Sequence, residues 1–364
     1  MDIKNINDQH ENGVCSMNLE TIDLTKFKII NGQNYNLISP IKNYIKWTKD
    51  QLYYRSCMFD GFNSIVSMGF PKFFNYDEQN QAVKPFNIDS IVHVREKIDG
   101  SLFIVSKYKG QYIMRTRESF NCDRHEENYG QELDYFRINI LPKLNDYCVK
   151  NNLTDDCDTW ILSFQFEWQS DKHIIIVKFP EQFNFFLLGG VFHNRINNRL
   201  MDQLTLDVIG LEINVKRPNV YFSPNQVKGI NLNWYVNIQG IEGFVFYCAD
   251  FQTMYKVKTH WYLNKHKFKF GLNSFKSFVE LIIAEKIPLD AIYQFILDNF
   301  DHETFVACEQ WIKIIDDIII FVSQLNNISK KESIEIIKTK YNKQEQKIAL
   351  SLLKFSQNII KPHN

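Results

Sequence analysis

Paired cysteines, a secretory leader, a membrane-length apolar run and a surplus of either charge are all missing from these 364 residues. The seven cysteines, Cys15, Cys57, Cys122, Cys148, Cys157, Cys248 and Cys308, stand singly, without a CxxC pair and in odd number. That spacing argues against a disulfide framework or a structural zinc site and suits a reducing cytoplasm. The N-terminal "MDIKNINDQHENG" has no apolar stretch of the kind a signal peptide needs. The longest apolar run, "IIDDIIIFV", is broken by Asp316 and Asp317 and is too short to span a bilayer. A cytoplasmic protein without a membrane partner is therefore expected. Lys plus Arg and Asp plus Glu each number 42, for a formal net charge of +0. The whole-molecule field thus draws in no polyanion, and any nucleotide or nucleic-acid site must come from local clustering of basic side chains.

What is present is ordinary for a globular chain: 45% hydrophobic and 23% charged residues, enough for a sizeable core and for two domains. The 30 Phe and 17 Tyr suit β-sheets and offer surfaces for stacking bases. Up to about residue 262, short β-rich runs alternate with turn residues. "SLFIVSKYKGQYIMRTR" reads as two strands joined at Lys109-Gly110. "WILSFQFEWQ" and "HIIIVKF" read as an antiparallel pair around Ser170-Asp171. "NFFLLGGVF", "EGFVFY" and "MYKVK" read as further strands. Residues 131–150 have helical spacing, bent or ended by Pro142. After about residue 270, apolar residues recur at three and four spacing with almost no Gly or Pro, which predicts a separate helical domain. No internal repeat is visible. The expected class is α+β: residues 1–262 built on antiparallel sheets with flanking helices, then an all-α domain over 263–364.

Four clusters in the first domain put charge where a strand pattern prefers neutral residues. They are Lys97 with Asp99, Gly100 and Ser101; Glu167 in "FQFEWQ"; Glu242 in "IEGFVFY"; and Lys256 with Lys258 in "YKVKTHWY". On a strand, the last two lysines share a face. Taken singly, each has an ordinary explanation: Asp-Gly is a common hairpin turn, and an isolated Glu or K-x-K is most often a solvated face. The order and spacing of all four are more specific.

The series resembles the covalent nucleotidyltransferases, which comprise DNA ligases, RNA ligases and mRNA capping enzymes. "EKIDGS" is similar to motif I, "FEW" to motif III, "EGFVF" to motif IV and "KVK" to motif V; motifs Ia and IIIa also fall within 1–262. Ser101, "YYRSCMFDG", "GFPKFFNYDEQ", "KVKTHWY" and the C-terminal "ETFVACEQWIKIIDDIII" resemble the RNA ligase 1 family, typified by the T-even phage tRNA-repair enzyme. The resemblance implies an adenylyltransferase with ATP as co-substrate and Mg²⁺ as metal, Mn²⁺ substituting. Lys97 is then the nucleophile that forms lysyl-AMP. AMP passes to an RNA 5′-phosphate, and a 3′-hydroxyl displaces it. Lysine attacks only when deprotonated, and burial or nearby positive charge is expected to lower its pKa. Lys256 and Lys258 would neutralise charge on the phosphates. Asp99, Glu167 and Glu242 suit Mg²⁺, through water. Gly100 lets the backbone pass close to the nucleotide. The resemblance also carries over Arg55, Lys72, Phe74, Ser101, Arg117 and Val245 as ATP contacts, with Phe73 beside Phe74 as a pocket wall. Arg117 stands where the family has a lysine, which keeps the charge and changes its geometry. The basic, aromatic stretch 258–270 suits RNA contact or a solvated linker equally. Expected partners are RNA ends, for instance of nicked tRNA, together with a separate end-healing kinase or phosphatase; the helical domain would bias RNA choice, and the chain would act as a monomer. Competing readings are a DNA ligase, a capping guanylyltransferase and a catalytically silent RNA-binding relative.

Overall fold

A computed structural model describes residues 19, 22–41, 46–78, 80–153, 161–193, 198–222, 226, 231, 233–250, 252–271, 274–284, 287–288, 291–299, 302–325 and 328–359. The chain divides after Tyr262 into two compact units.

The first unit combines antiparallel sheets with a few helices. Its strands are β1 (Phe27–Asn31), β2 (Tyr35–Pro40), β3 (Cys57–Asp60), β4 (Ile65–Met68), β5 (Phe74–Asn75), β6 (Ile91–Lys97) and β7 (Ser101–Tyr108). They continue with β8 (Gln111–Thr116), β9 (Ile161–Ser170), β10 (Phe183–His193), β11 (Asn198–Leu200), β12 (Val220–Phe222), β13 (Gly243–Cys248) and β14 (Met254–Lys258). These form three sheets: β1-β2-β3-β4, β11-β10-β9-β7-β8 and β12-β6-β13-β14-β5. All neighbouring pairs are antiparallel except β14 with β5.

Strands β7 and β8 are the expected hairpin. Lys109 and Gly110 have φ of 49° and 76°, the left-handed pair that a two-residue turn of matching twist requires. Helices α1 (Glu126–Tyr135) and α2 (Leu141–Lys150) are joined by a π-helical turn, Phe136–Ile140, and Pro142 sits in the first turn of α2, where its missing N–H is harmless. Helix α3 (Gln203–Ile213) starts at Asp202, whose side chain accepts from the Thr205 N–H, and ends on left-handed Asn214. Phe103, Phe166 and Phe185 of the β7-β9-β10 sheet pack with Phe136, Leu144, Leu206 and Ile209 into the largest core of this unit.

Two expectations change. "HIIIVKF" forms no strand; β9 pairs instead with β10, and His173 makes only a single bridge to Ser170. The Ile176 and Val177 N–H groups, which a strand would have paired across a ladder, donate to Asp99. The second change concerns "KIDG". Strands β6 and β7 lie in different sheets, so Asp99-Gly100 is a crossover between sheets and not a hairpin turn.

The described elements of the second unit are helices: the remainder of α4 (His260–Gly271), then α5 (Phe275–Ala284), α6 (Ile292–Asn299), α7 (His302–Gln324), α8 (Lys330–Lys340) and α9 (Lys343–Ile359). Phe278, Ile282, Ile296, Ile315, Ile318, Val322, Ile337 and Leu353 form its core. Their spacing is that of one apolar stripe per helix. No helix among the described residues is long and apolar enough to cross a membrane. Cys57, Cys122, Cys148, Cys248 and Cys308 are free and buried; Cys15 and Cys157 lie outside the described residues.

Candidate active site

The register of β6, β13 and β14 determines what faces the cavity. Gly243 of β13 stands between Lys97 of β6 and Lys258 of β14; two residues on, Val245 stands between Arg95 and Lys256. Side chains alternate along a strand, so Lys97, Lys258, Val245 and Lys256 share one face. Phe244, Phe246 and Val257 pack into the core behind. Gly243 is required at the centre, because a Cβ there would lie 2.0 Å from the Val257 carbonyl oxygen. Of the two residues that could present a face to a base, Val245 lines the cavity and Phe244 is buried behind it.

The opposite wall is the β7-β9 sheet, where Leu102 pairs with Glu167 and both side chains reach the cavity. Between the walls lies a space of about 530 Å³ lined by Arg55, Lys97, Gly100, Ser101, Arg117, Glu167, Glu242, Val245, Lys256 and Lys258, with Phe70 and Phe73 as apolar lining. Gly100 is needed for the sheet crossover: a Cβ would meet the Trp168 carbonyl oxygen at 2.6 Å. The close approach that selects glycine is thus to β9.

Lys97 Nζ donates to Glu242 Oε2 at 2.7 Å, and Lys258 Nζ lies 3.0 Å from Glu242 Oε1. Glu242 is 4% exposed, so the carboxylate is buried between two ammonium groups. Burial alone would lower the Lys97 pKa, but Glu242, then Glu167, outweighs it and holds the ammonium above the ordinary lysine value. This corrects the expectation of a lowered pKa. Burial works to raise Glu242, and Lys97 and Lys258 overcome it, keeping the carboxylate ionised.

Burial lowers two other lysines, Lys72 and, much further, Lys256. Burial first, and then the like charges of Lys72, Arg55, Lys97 and Lys258, push it down to about 7. The Lys256 ammonium lies 5.3 Å, and the Arg55 guanidinium 5.6 Å, from the centre of the Phe73 ring. Burial, followed by repulsion from Arg117, brings Arg55 down to about 10. Arg117 pairs with its neighbour Glu118 at 2.7 Å. Cations crowded against an aromatic wall repel one another, and a polyanion in the cavity relieves that repulsion.

Three expected contacts do not line the cavity. Asp99 Oδ1 accepts from the Tyr262 hydroxyl at 2.8 Å, and Oδ2 accepts from Ile176 and Val177 N–H at 2.7 and 2.8 Å. Three of its acceptor positions are thus directed into the fold, and no contact from Asp99 reaches the cavity directly. Phe74 is 1% exposed, in the core. The Lys72 ammonium lies over the Phe74 ring, 5.2 Å from its centre, and contributes to the cavity through its charge near Lys256 and Arg55. Tyr262, absent from the sequence-derived set, holds Asp99 from 163 residues further along the chain; its place in "KTHWY" carried no sign of that partner.

Among the described residues, no group of three or more His, Cys, Asp or Glu side chains could hold a metal ion by itself. Glu167 nonetheless fits a cation shared with phosphate. Burial, helped by Glu242 and Asp99 against Lys97, lifts its pKa to about 8, the signature of a carboxylate short of positive charge. Mg²⁺ typically takes one or two carboxylates, substrate phosphates and several waters, and Glu167 with Glu242 could supply the protein part of that set.

Known proteins can now be compared. The chain is 25% identical over 285 residues to a protein of Autographa californica nuclear polyhedrosis virus provisionally described as a bifunctional polynucleotide kinase/RNA ligase. That alignment covers 75% of this chain and 37% of the viral protein, so the chain spans little more than a third of that relative. Similar solved structures include a mutant Naegleria gruberi RNA ligase with ATP and Mn, at 16% identity and TM-score 0.36 over 63% of this chain and 64% of that one. An Aquifex aeolicus protein provisionally described as an ATP-dependent DNA ligase aligns at 15% identity and TM-score 0.42, over 93% and 86% of the two chains. Residues 53–262, more than half of the chain, match the RNA ligase family, and the match takes in both walls of the cavity. The chain belongs to the RNA ligase family.

Proposed function

We propose that the cavity is the adenylylation site of an ATP-dependent RNA ligase, with Lys97 as the nucleophile. The observation that carries this reading is the placement of Lys97 at the floor of a cation-rich cavity, between Lys258 and Lys256 on one strand and Glu167 on the facing wall. The same placement supports Val245 as one face of the adenine slot and Phe73 as a cavity wall, while Arg55, Lys256 and Arg117 engage the phosphates.

In the reaction, the Lys97 amine forms a P–N bond to the α-phosphorus of ATP, and the bond to the pyrophosphate oxygen breaks. Lys97 must first lose a proton, which its pairing with Glu242 opposes. Deprotonation, with the proton passing to solvent, therefore requires that other positive charge balance Glu242, and Lys258 at 3.0 Å supplies part of it. A divalent cation, when bound, would supply that charge and polarise the phosphate. Lys258 and Lys256 stabilise the charge that develops on the phosphate oxygens. A 5′-phosphate of RNA then takes AMP from Lys97, and a 3′-hydroxyl attacks the activated phosphate, releasing AMP and sealing the strand. Nicked tRNA is a fitting substrate, and the kinase named in the description of the viral relative is the kind of end-healing partner that would prepare the 5′-phosphate. Cytoplasmic RNA repair is the setting we propose, with the second unit selecting RNA.

Incubation with α-labelled ATP and Mg²⁺ should leave label on the protein, and Lys97→Ala should abolish it. Wild type that accepts no label with Mg²⁺ or Mn²⁺ sinks the reading; label from GTP in preference to ATP replaces it with the capping reaction.

A further inference from the structure

Beneath the two arginines that line the cavity lies a third, Arg115, which is fully buried. Its Nε donates to Ser67 Oγ at 2.8 Å. Nη1 donates to Ser56 Oγ at 2.9 Å and to the Thr116 and Arg117 carbonyls at 3.2 and 3.4 Å. Nη2 donates to the Ser56 and Ser67 carbonyls, both at 3.2 Å. Ser56 Oγ closes the set by donating to the Arg117 carbonyl at 2.8 Å. Among the described residues no carboxylate pairs with Arg115, and the neighbouring Cys57 and Cys122 thiols and the His193 ring are buried.

A buried charge without a counter-ion is expensive, and an apolar side chain of similar volume would fill the space with less desolvation. Packing alone therefore gives no reason for an arginine here. Its bonds do give one. They end on Ser56, which follows Arg55 in the chain, and on Arg117 itself. Arg55 and Arg117 repel one another, and after burial this repulsion is the largest influence lowering the Arg55 pKa. A connection between the segments bearing them counters that repulsion. A planar fork with five donors is suited to holding carbonyl and hydroxyl acceptors from both at fixed spacing.

We propose that Arg115 is a positioning residue that sets the separation of Arg55 and Arg117, and so preorganises the cavity for the polyphosphate of a nucleoside triphosphate. The proposal rests on the ligase reading for the identity of the ligand and on the hydrogen bonds for the mechanism.

The test is equilibrium binding of the non-transferable analogue α,β-methylene-ATP, with Mg²⁺, to the full chain. Arg115→Met should remain folded by circular dichroism and bind the analogue at least about tenfold more weakly, because preorganised contacts are lost while the side-chain volume is kept. In an Arg55→Ala/Arg117→Ala background the same change should alter binding less than about twofold, since additivity fails only for residues that act together. A folded Arg115→Met protein that binds like wild type, or that loses equally in both backgrounds, overturns the proposal. If Arg115→Met does not fold, Ser56→Ala removes the hydroxyl shared by Arg115 and the Arg117 carbonyl. It should weaken binding with the same dependence on background, and an equal loss in both backgrounds again overturns the proposal. Wild type that binds the analogue but never takes AMP from ATP defeats the ligase reading and leaves the positioning role standing; wild type that binds no analogue defeats both.

Discussion

Lys97 and Glu242 form a buried ion pair at 2.7 Å, and the second oxygen of the same carboxylate takes Lys258. One acid thus neutralises two lysines that both line the cavity. Removing it leaves two partly buried ammonium groups facing one another.

Glu242→Gln should therefore lower stability by about 2–4 kcal/mol, as breaking a buried pair on one side does. Urea unfolding at pH 7 measures the loss. The pair also has a pH signature. Glu242 sits below its ordinary 4.5, so its contribution is present above that value and fades as pH falls through the lower folded value. Lys97 sits above 10.5, so its contribution is complete below that pH and fades as pH rises through the higher folded value. Glu242→Gln should flatten both limbs of the stability profile.

Glu167 behaves in the opposite sense. The unfolded carboxyl ionises near 4.5, whereas the folded one keeps its proton to about 8. Between these values the folded state binds more protons, so stability falls as pH rises. Glu167→Gln should remove that slope and raise stability at pH 8 by on the order of 2 kcal/mol, a fraction of what so large a shift implies. Adenylylation should fall at the same time. Melting curves at pH 5 and pH 8 would show an unchanged difference between variant and wild type if Glu167 were not raised.

Adjacent aromatics separate the wall from the core. Phe74→Ala should cost about 3–5 kcal/mol, because the ring is fully packed. Phe73→Ala should cost much less stability and instead raise KM for ATP in lysyl-AMP formation, since Arg55 and Lys256 lose their shared surface. Equal effects of the two changes on KM would refute this assignment.

The Tyr262 hydroxyl holds Asp99 at 2.8 Å. Tyr262→Phe should cost about 1–3 kcal/mol, as expected when a buried acceptor loses a donor. It should slow adenylylation without changing ATP affinity, because Asp99 anchors the crossover that follows Lys97 and does not line the cavity. Single-turnover rates across ATP concentrations distinguish the two effects.

Much of this arrangement is legible along the chain. Lys109-Gly110 announces its hairpin through local backbone chemistry, and the two-residue spacing of Lys256 and Lys258 places both on one face without further information. The helices after residue 270 follow from apolar spacing. What could not be read depends on partners distant in sequence. Alternating apolar residues in "HIIIVKF" look the same whether their N–H groups meet a strand or, as here, a buried carboxylate 77 and 78 positions away. Which of Phe73 and Phe74 turns inward is decided by the pairing of β5 with β14, a contact across 181 positions for Phe74 and Tyr255. The sign of the Lys97 shift depends on Glu242, 145 residues on, outweighing burial.

The three residues between Lys97 and Ser101 join one wall of the cavity to the other, whereas Lys109 and Gly110 merely close a hairpin within one sheet. The chain therefore tolerates being opened very unequally at these two turns. A cut between Lys109 and Gly110 would leave every cavity residue on its own strand. A break between Ile98 and Asp99 would release the Lys97 strand from the wall it faces, and an intact set of side chains would no longer enclose one cavity.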